Sequence, residues 1–124
     1  MKKLLTTFIL LFSSYSWGDW NNWSDTDKKM FIASNVAIAA DWLTTRNFAG
    51  HKELHPGTYE TNPIIGKYPS QERVDLYFIG IVVSNYYIAD WLPKELRGFY
   101  LGVRTGAHGT AAISNMNLGW KMEF

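Results

Sequence analysis

Three stretches of the chain are dense in apolar residues, and in each the polar residues recur at helical rather than strand spacing. Residues 29–46, KMFIASNVAIAADWLTTR, are rich in Ala and contain no Gly or Pro, which favours a helix. Residues 74–92 contain β-branched and aromatic side chains, but 76–92 run without a turn signal and hold only Ser84, Asn85 and Asp90 as strongly polar positions. That run is too long for an ordinary strand. Residues 97–117 form the third stretch. The pattern predicts an all-α fold, a small bundle of three helices at about 29–46, 74–92 and 97–117.

Between the first two helices, residues 47–73 carry Gly50, Pro56, Gly57, Pro63, Gly66 and Pro69, the breakers of a long connector. Ser70 stands where it can cap the second helix, and Asp25, Thr26 or Asp27 where one of them can cap the first. Inside the connector, YETNPIIG at 59–66 places Glu60 and Asn62 two apart and then turns apolar. Its isoleucines ask for burial, so the loop is expected to fold back onto the helices and bring its acid and amide with it.

The amino terminus has a different character. Lys2 and Lys3 precede an apolar run at 4–12 and a small-residue stretch at 13–18. That is the layout of a secretory signal, with cleavage after Ser16 or Gly18. The alternative is an uncleaved anchor, although 4–17 falls short of the roughly 20 residues that span a bilayer. The expected organisation is therefore a signal at 1–18 and a single helical membrane domain at 19–124, exported to the bacterial cell envelope and held in the inner membrane.

Two features extend the membrane expectation to the mature helices. Gly98, Gly102 and Gly106 repeat every fourth residue. Such spacing weakens a helix in water but lets helix backbones approach in lipid. The six tryptophans, at 17, 20, 23, 42, 91 and 120, all lie at ends of apolar segments, as interfacial anchors do. Arg46, Lys52, Lys67, Arg73 and Lys121 fall on one side of the spans, and Lys28, Lys29, Lys94 and Arg97 on the other. The bias of one charge puts the long connector on the cytoplasmic side.

Composition narrows the function classes. The chain has 124 residues and a net charge of +1, with 47% apolar and 19% charged residues. One domain fits that length, and nothing electrostatic argues for nucleic acid. Cysteine is absent, which excludes disulfides, thiolate metal sites and cysteine nucleophiles. No cofactor motif occurs. The expected partners are the lipid bilayer and either a second copy or another membrane protein.

Candidate chemistry gathers at polar positions inside the apolar stretches. Ser34, Asp41, Thr44 and Thr45 share one side of the first helix, and Arg104, His108 and Asn115 one side of the third. Asn85 lies mid-span on the second. Polar groups at membrane depth need one another, so Asp41 is expected to pair with Arg104, with His108 and Asn85 alongside and Glu60 and Asn62 reaching in. His51 and His55 offer imidazoles for a metal, but Pro56 and Gly57 favour an exposed loop there. At the carboxyl end Leu118, Trp120, Met122 and Phe124 alternate with Gly119, Lys121 and Glu123, a pattern that resembles the last strand of an outer-membrane barrel.

Asp41-Trp-Leu-Thr44 followed by Glu60-Thr-Asn62-Pro63-Ile-Ile-Gly resembles an uncharacterised family of small bacterial integral membrane proteins. The likeness covers about residues 30–92. It implies a helical membrane protein with a polar cluster at Asp41, Thr44, Glu60, Asn62 and Pro63, and no established activity. The family pattern has a lysine early in the second helix, where this chain reads Asp75-Leu76-Tyr77, and its insert at 51–58 is shorter. Two function classes follow. One is a non-enzymatic envelope protein acting through helix packing around the cluster. The other is an intramembrane hydrolase or proton-transfer enzyme using Asp41, Glu60 and His108.

Overall fold

A computed structural model describes residues 18–122. Among them three α-helices form, α1 (Asp25–Gly50), α2 (Gln71–Trp91) and α3 (Lys94–Asn117), with 3-10 turns at Gly18–Asn22 and Lys52–Leu54 and no strand. The all-α expectation holds, and every helix is longer than its sequence pattern indicated. The signal or anchor expected at 1–18 lies outside the described residues except for Gly18.

Local chemistry sets the helix ends. Ser24, not the expected Asp25, Thr26 or Asp27, caps α1 by accepting from Asp27 N at 3.0 Å, and Asp25 and Asp27 then sit in the first turn, where acids are favoured. Ser70 caps α2 as expected, accepting from Arg73 N at 3.1 Å. Only Leu92 and Pro93 separate α2 from α3. Arg97 closes that corner from inside: its Nε donates to Ala89 O at 2.7 Å, and Nη1 lies 3.6 Å from Asp27 Oδ2. A cation on the last carbonyls of α2 satisfies orphan acceptors and opposes the helix dipole.

The pairings give the helix directions. Asp27 meets Arg97 and Thr44 meets Asn115, so α1 and α3 run parallel. Trp23 bonds Asp90 and Trp42 bonds Asp75, so α1 and α2 run antiparallel. The central helix is α1, and α2 and α3 touch sparsely. Trp42 and Phe78 stack at 5.9 Å, and Trp23 stacks on Tyr86 at 5.6 Å. The tryptophans are thus not a uniform set of interfacial anchors: Trp23, Trp42 and Trp120 are core residues, while Trp91 is 82% exposed.

One end of the bundle is covered by the connector and the carboxyl segment. Phe48 and Trp120 stack at 4.2 Å, Trp120 Nε1 donates to Thr58 Oγ1 at 3.2 Å, and Lys121 N donates to Asn47 Oδ1 at 2.9 Å. Leu118 closes α3, Gly119 takes φ +88°, and Trp120 turns inward. No barrel strand forms in 118–122, and Glu123 and Phe124 lie outside the described residues.

The glycine repeat is only partly a packing device within the chain. A side chain at Gly98 or Gly102 would meet Met30 of α1, whereas Gly106 faces open space. At about 1.5 Å per residue, helices of 21 to 26 residues have the length of a bilayer core. Among the described residues, however, no helix is both long and apolar enough to cross a membrane.

Candidate functional site

The polar cluster forms at the covered end of the bundle, and its centre is a pair rather than the expected ion pair. His108 Nδ1 and Asp41 Oδ2 lie 2.7 Å apart, both residues buried. The parallel packing of α1 and α3 brings them level. Asp41 Oδ1 accepts from Thr45 Oγ1 and from Asn115 Nδ2, each at 3.3 Å. With Asp41 accepting throughout, His108 Nδ1 is the donor and carries the ring proton. The other ring nitrogen, Nε2, has no partner among the described residues.

Asn115 ties the pair to the helix below it. Its Nδ2 also donates to Thr44 Oγ1 at 2.9 Å and to Thr45 Oγ1 at 3.1 Å. Thr44 has already donated to the carbonyls of Ala40 and Asp41, and Thr45 to Asp41. Both hydroxyls therefore present lone pairs, which fixes the amide orientation with Oδ1 facing away from them.

The connector supplies Glu60. Its backbone N donates to Lys67 O at 2.9 Å, and its Oε1 accepts from Asn62 N at 2.9 Å. Asn62 Oδ1 accepts from Ile64 N at 3.0 Å, and Gly66, at φ +88°, returns its N–H to Asn62 O. This is an Asx-type turn. One isoleucine only is buried: Ile65 enters the core, and Ile64 stays 66% exposed. Burial, together with the nearby Asp41 carboxylate, pushes the Glu60 carboxyl above its ordinary range. A cleft of about 260 Å³ lies between loop and helices, lined by Asp41, Thr45, Glu60, Asn62, Phe78 and Asn115 among others.

The remaining candidates fall elsewhere. Arg104 does not pair with Asp41. Its Nε donates to Tyr100 Oη at 3.1 Å, Tyr100 donates to Asn85 Oδ1 at 3.1 Å, and Asn85 donates to Ser34 Oγ at 2.9 Å. Asn85 and Arg104 thus belong to a second cluster, nearer the middle of the bundle. Distance along the helix explains the split, because Arg104 is one turn before His108 and level with a different part of α1. His51 ends α1, 3.8 Å from Glu53, and His55 packs against Phe48. Among the described residues no three His, Asp or Glu side chains gather as metal ligands.

Sequence reasoning missed three partners. Tyr100 is the link between Arg104 and Asn85, and aromatic spacing alone did not mark it. Asp75, noted only as a departure from the family pattern, holds Arg46 Nε at 3.0 Å and Trp42 Nε1 at 2.8 Å. Arg97, counted as a loop charge, is buried. Ser34 and Asp41 repeat the position of Asp27 at intervals of seven, and that spacing was the available signal for the Asp27–Arg97 contact. No family model, no curated protein and no solved structure matches the chain.

Proposed function

We propose that the chain is a small helical protein of the bacterial envelope, seated in a lipid bilayer, in which Asp41, His108 and Glu60 form an acid–base site of hydrolytic or proton-transfer type. The observation that carries this reading is the 2.7 Å contact between His108 Nδ1 and Asp41, which leaves Nε2 as an unshared acceptor, while Asp41 and Glu60 border the cleft. An imidazole held in that tautomer by a carboxylate takes a proton at Nε2, and the carboxylate stabilises the imidazolium that results. Glu60 has the opposite tendency. Its raised proton affinity keeps it an acid to higher pH than an open carboxyl, so two carboxyl groups of one cleft take different roles.

The bilayer part rests on exposed apolar side chains on all three helices, among them Val36, Leu76, Trp91, Phe99 and Val103. Large exposed apolar residues mark lipid or protein contacts. Fractionation tests it. Retention through a carbonate wash and release by detergent are expected, and release by osmotic shock alone overturns the seating.

A second reading has its own observation. The three bonds of Asn115 join α3 to α1, as a strut would, and then the cluster only holds the helices in register. Acylation by diethyl pyrocarbonate, read residue by residue by mass spectrometry, separates the two. A working site predicts that His108 is modified in the folded protein despite its burial, and more slowly after Asp41→Asn. Modification of His108 only after unfolding leaves the strut.

A further inference from the structure

The face of α3 that points away from the bundle is patterned. Leu96, Phe99, Val103, Gly106, Thr110 and Ile113 are all exposed, and their spacing alternates between three and four residues. Asn117, also exposed, takes the next step. At about 100° per residue these positions share an arc of about 100°. The buried Arg97, Leu101, His108, Ala112 and Asn115 lie on the opposite side. The stripe is therefore left over when α3 packs on α1, yet it is not the charged face that water favours on a surface helix. From 96 to 117 the charged residues are Arg97 and Arg104. Both turn away from it, Arg97 being buried and Arg104 half-buried on Tyr100. The stripe also differs from the glycine repeat, since Gly98 and Gly102 look at Met30 of α1 while Gly106 opens outward.

Alternation of three and four is the spacing of a seam between two helices. Leu96, Val103, Thr110 and Asn117 fall at its a positions, and Phe99, Gly106 and Ile113 at its d positions. We propose that this stripe is the contact between two copies of the chain, packed about a two-fold axis with their α3 helices parallel. Lipid sets no such period on the residues facing it, and its hydrocarbon offers Thr110 and Asn117 no hydrogen bond. A second copy meets both demands. A two-fold axis sets each seam residue against its own counterpart, which a charge would not tolerate, and the seam has none. Its polar members are self-complementary, because a hydroxyl and a carboxamide each donate and accept. A single Asn at an a position also fixes the register of a parallel pair. Gly106 marks the layer where the helices come nearest, at the short end of the usual 8–10 Å between axes, where a methyl group still fits. The outer faces of α1 and α2 stay with lipid. Copies seated the same way up in a bilayer have parallel α3 helices, so the sense of the pair follows from the proposed seating. The seam itself needs neither that seating nor the acid–base site.

The chain has no cysteine, so one introduced thiol reports one position. The test takes the full-length protein with Leu96→Cys, Val103→Cys or Thr110→Cys in the seam. Leu76→Cys and Tyr87→Cys on α2 are the controls, at positions no less exposed than Leu96 and Val103. Each variant is checked for helix content by circular dichroism, reconstituted in vesicles at a low protein-to-lipid ratio and oxidised with copper phenanthroline. Disulfide-linked dimer is expected at all three seam positions, forming at least tenfold faster than at the controls. Equal rates at seam and control positions overturn the proposal. Crosslinking at Val103 and Thr110 without crosslinking at Leu96 overturns the parallel arrangement. A charge swap supplies a second arm. Val103→Glu and Val103→Lys, each alone, should be monomeric by sedimentation in detergent, because like charges then face each other, and an equimolar mixture should restore the dimer. A dimer that survives either charge, or a mixture that stays monomeric, overturns the seam. If fractionation removes the bilayer seating, the same thiols read the seam in solution, so the two failures are distinguishable.

Discussion

Replacing Asp41 by Asn keeps the shape of the side chain and changes one acceptor into a donor. The carboxylate accepts from His108 at 2.7 Å and from Thr45 and Asn115 at 3.3 Å each. In the variant the new NH2 must occupy one of the two oxygen positions. At the Oδ1 position it would face two donors, Thr45 and Asn115. At the Oδ2 position it faces only His108, and that conflict is relieved if the ring proton moves from Nδ1 to Nε2. The second arrangement is the cheaper. It sacrifices a hydrogen bond to a charged group, about 1.5–3 kcal/mol, and keeps the rest. A loss of about 2 kcal/mol corresponds to a fall in melting temperature of about 10 °C for a domain of this size. The assay is two-fold: urea unfolding of wild type and variant, and long-range nitrogen–proton correlation of the imidazoles, which distinguishes the two tautomers. The reasoning is refuted by a variant within about 0.5 kcal/mol of wild type, a surface-like effect, whose His108 still carries its proton on Nδ1. The functional corollary is specific, because a ring protonated at Nε2 has lost the acceptor on which the proposed base depends.

Glu60→Gln tests the connector. The carboxyl is raised above its ordinary 4.5, so between that pH and its higher native value the folded chain holds a proton that the unfolded chain has released, and stability falls as pH rises through the window. The variant should lack that fall and be the more stable protein at neutral pH, whereas parallel stability curves from about pH 4 to about pH 8 would count against the burial of Glu60. Trp120→Ala removes the stack on Phe48 and the bond to Thr58, and for a buried indole should cost about 3–5 kcal/mol with faster amide exchange around Thr58; a cost under about 1 kcal/mol means the carboxyl segment does not cover the bundle end. Gly106→Ala meets nothing within 4 Å and should raise helix stability by about 1 kcal/mol, with a lower melting temperature pointing instead to a close contact at Gly106 with a second copy.

What the sequence made legible was what depends on one helix at a time. Periodicity and breakers located the three helices and the Ser70 cap, and the spacing of Asp41 with Thr44 and Thr45, and of His108 with Asn115, named the residues that meet. Relations between helices were harder to read. Whether Asp41 meets His108 or Arg104 depends on the register of α1 against α3, a difference of one turn that neither helix encodes alone. Arg104 was chosen for its charge, whereas Tyr100 and Asn85 hold it lower down. The extension of α1 to Gly50 has the same character, since Phe48 is drawn into the helix end by Trp120, far along the chain. Ser34-Asn35 and Asp41-Trp42 of α1 recur as Ser84-Asn85 and Asp90-Trp91 of α2, yet Trp42 is 1% exposed and Trp91 is 82% exposed, which shows the limit of local pattern.

A mean hydropathy taken around a helix hides which way its polar residues turn, and here the direction is informative. On α1, Asp27, Ser34 and Asp41 are buried while Ile32 and Val36 are exposed. On α3, Arg97, His108 and Asn115 are buried while Leu96, Phe99, Val103 and Ile113 are exposed, and on α2 Asn85 is inside while Leu76, Tyr87 and Trp91 are outside. The residues that keep each helix below the hydropathy of a membrane span are thus in part the ones already satisfied within the bundle. The outer surface is correspondingly more apolar than the average suggests, which supports lipid as its neighbour. Trp91 offers the direct check, because among the described residues it is the exposed tryptophan on that surface, while Trp23, Trp42 and Trp120 are enclosed and Trp20 is half-buried. With the protein reconstituted in vesicles containing brominated lipid, the fluorescence lost on Trp91→Phe should be the strongly quenched component. If the same quenching persists in the variant, or if the wild type is not quenched at all, Trp91 does not face lipid and the apolar faces of α2 and α3 need a protein partner instead.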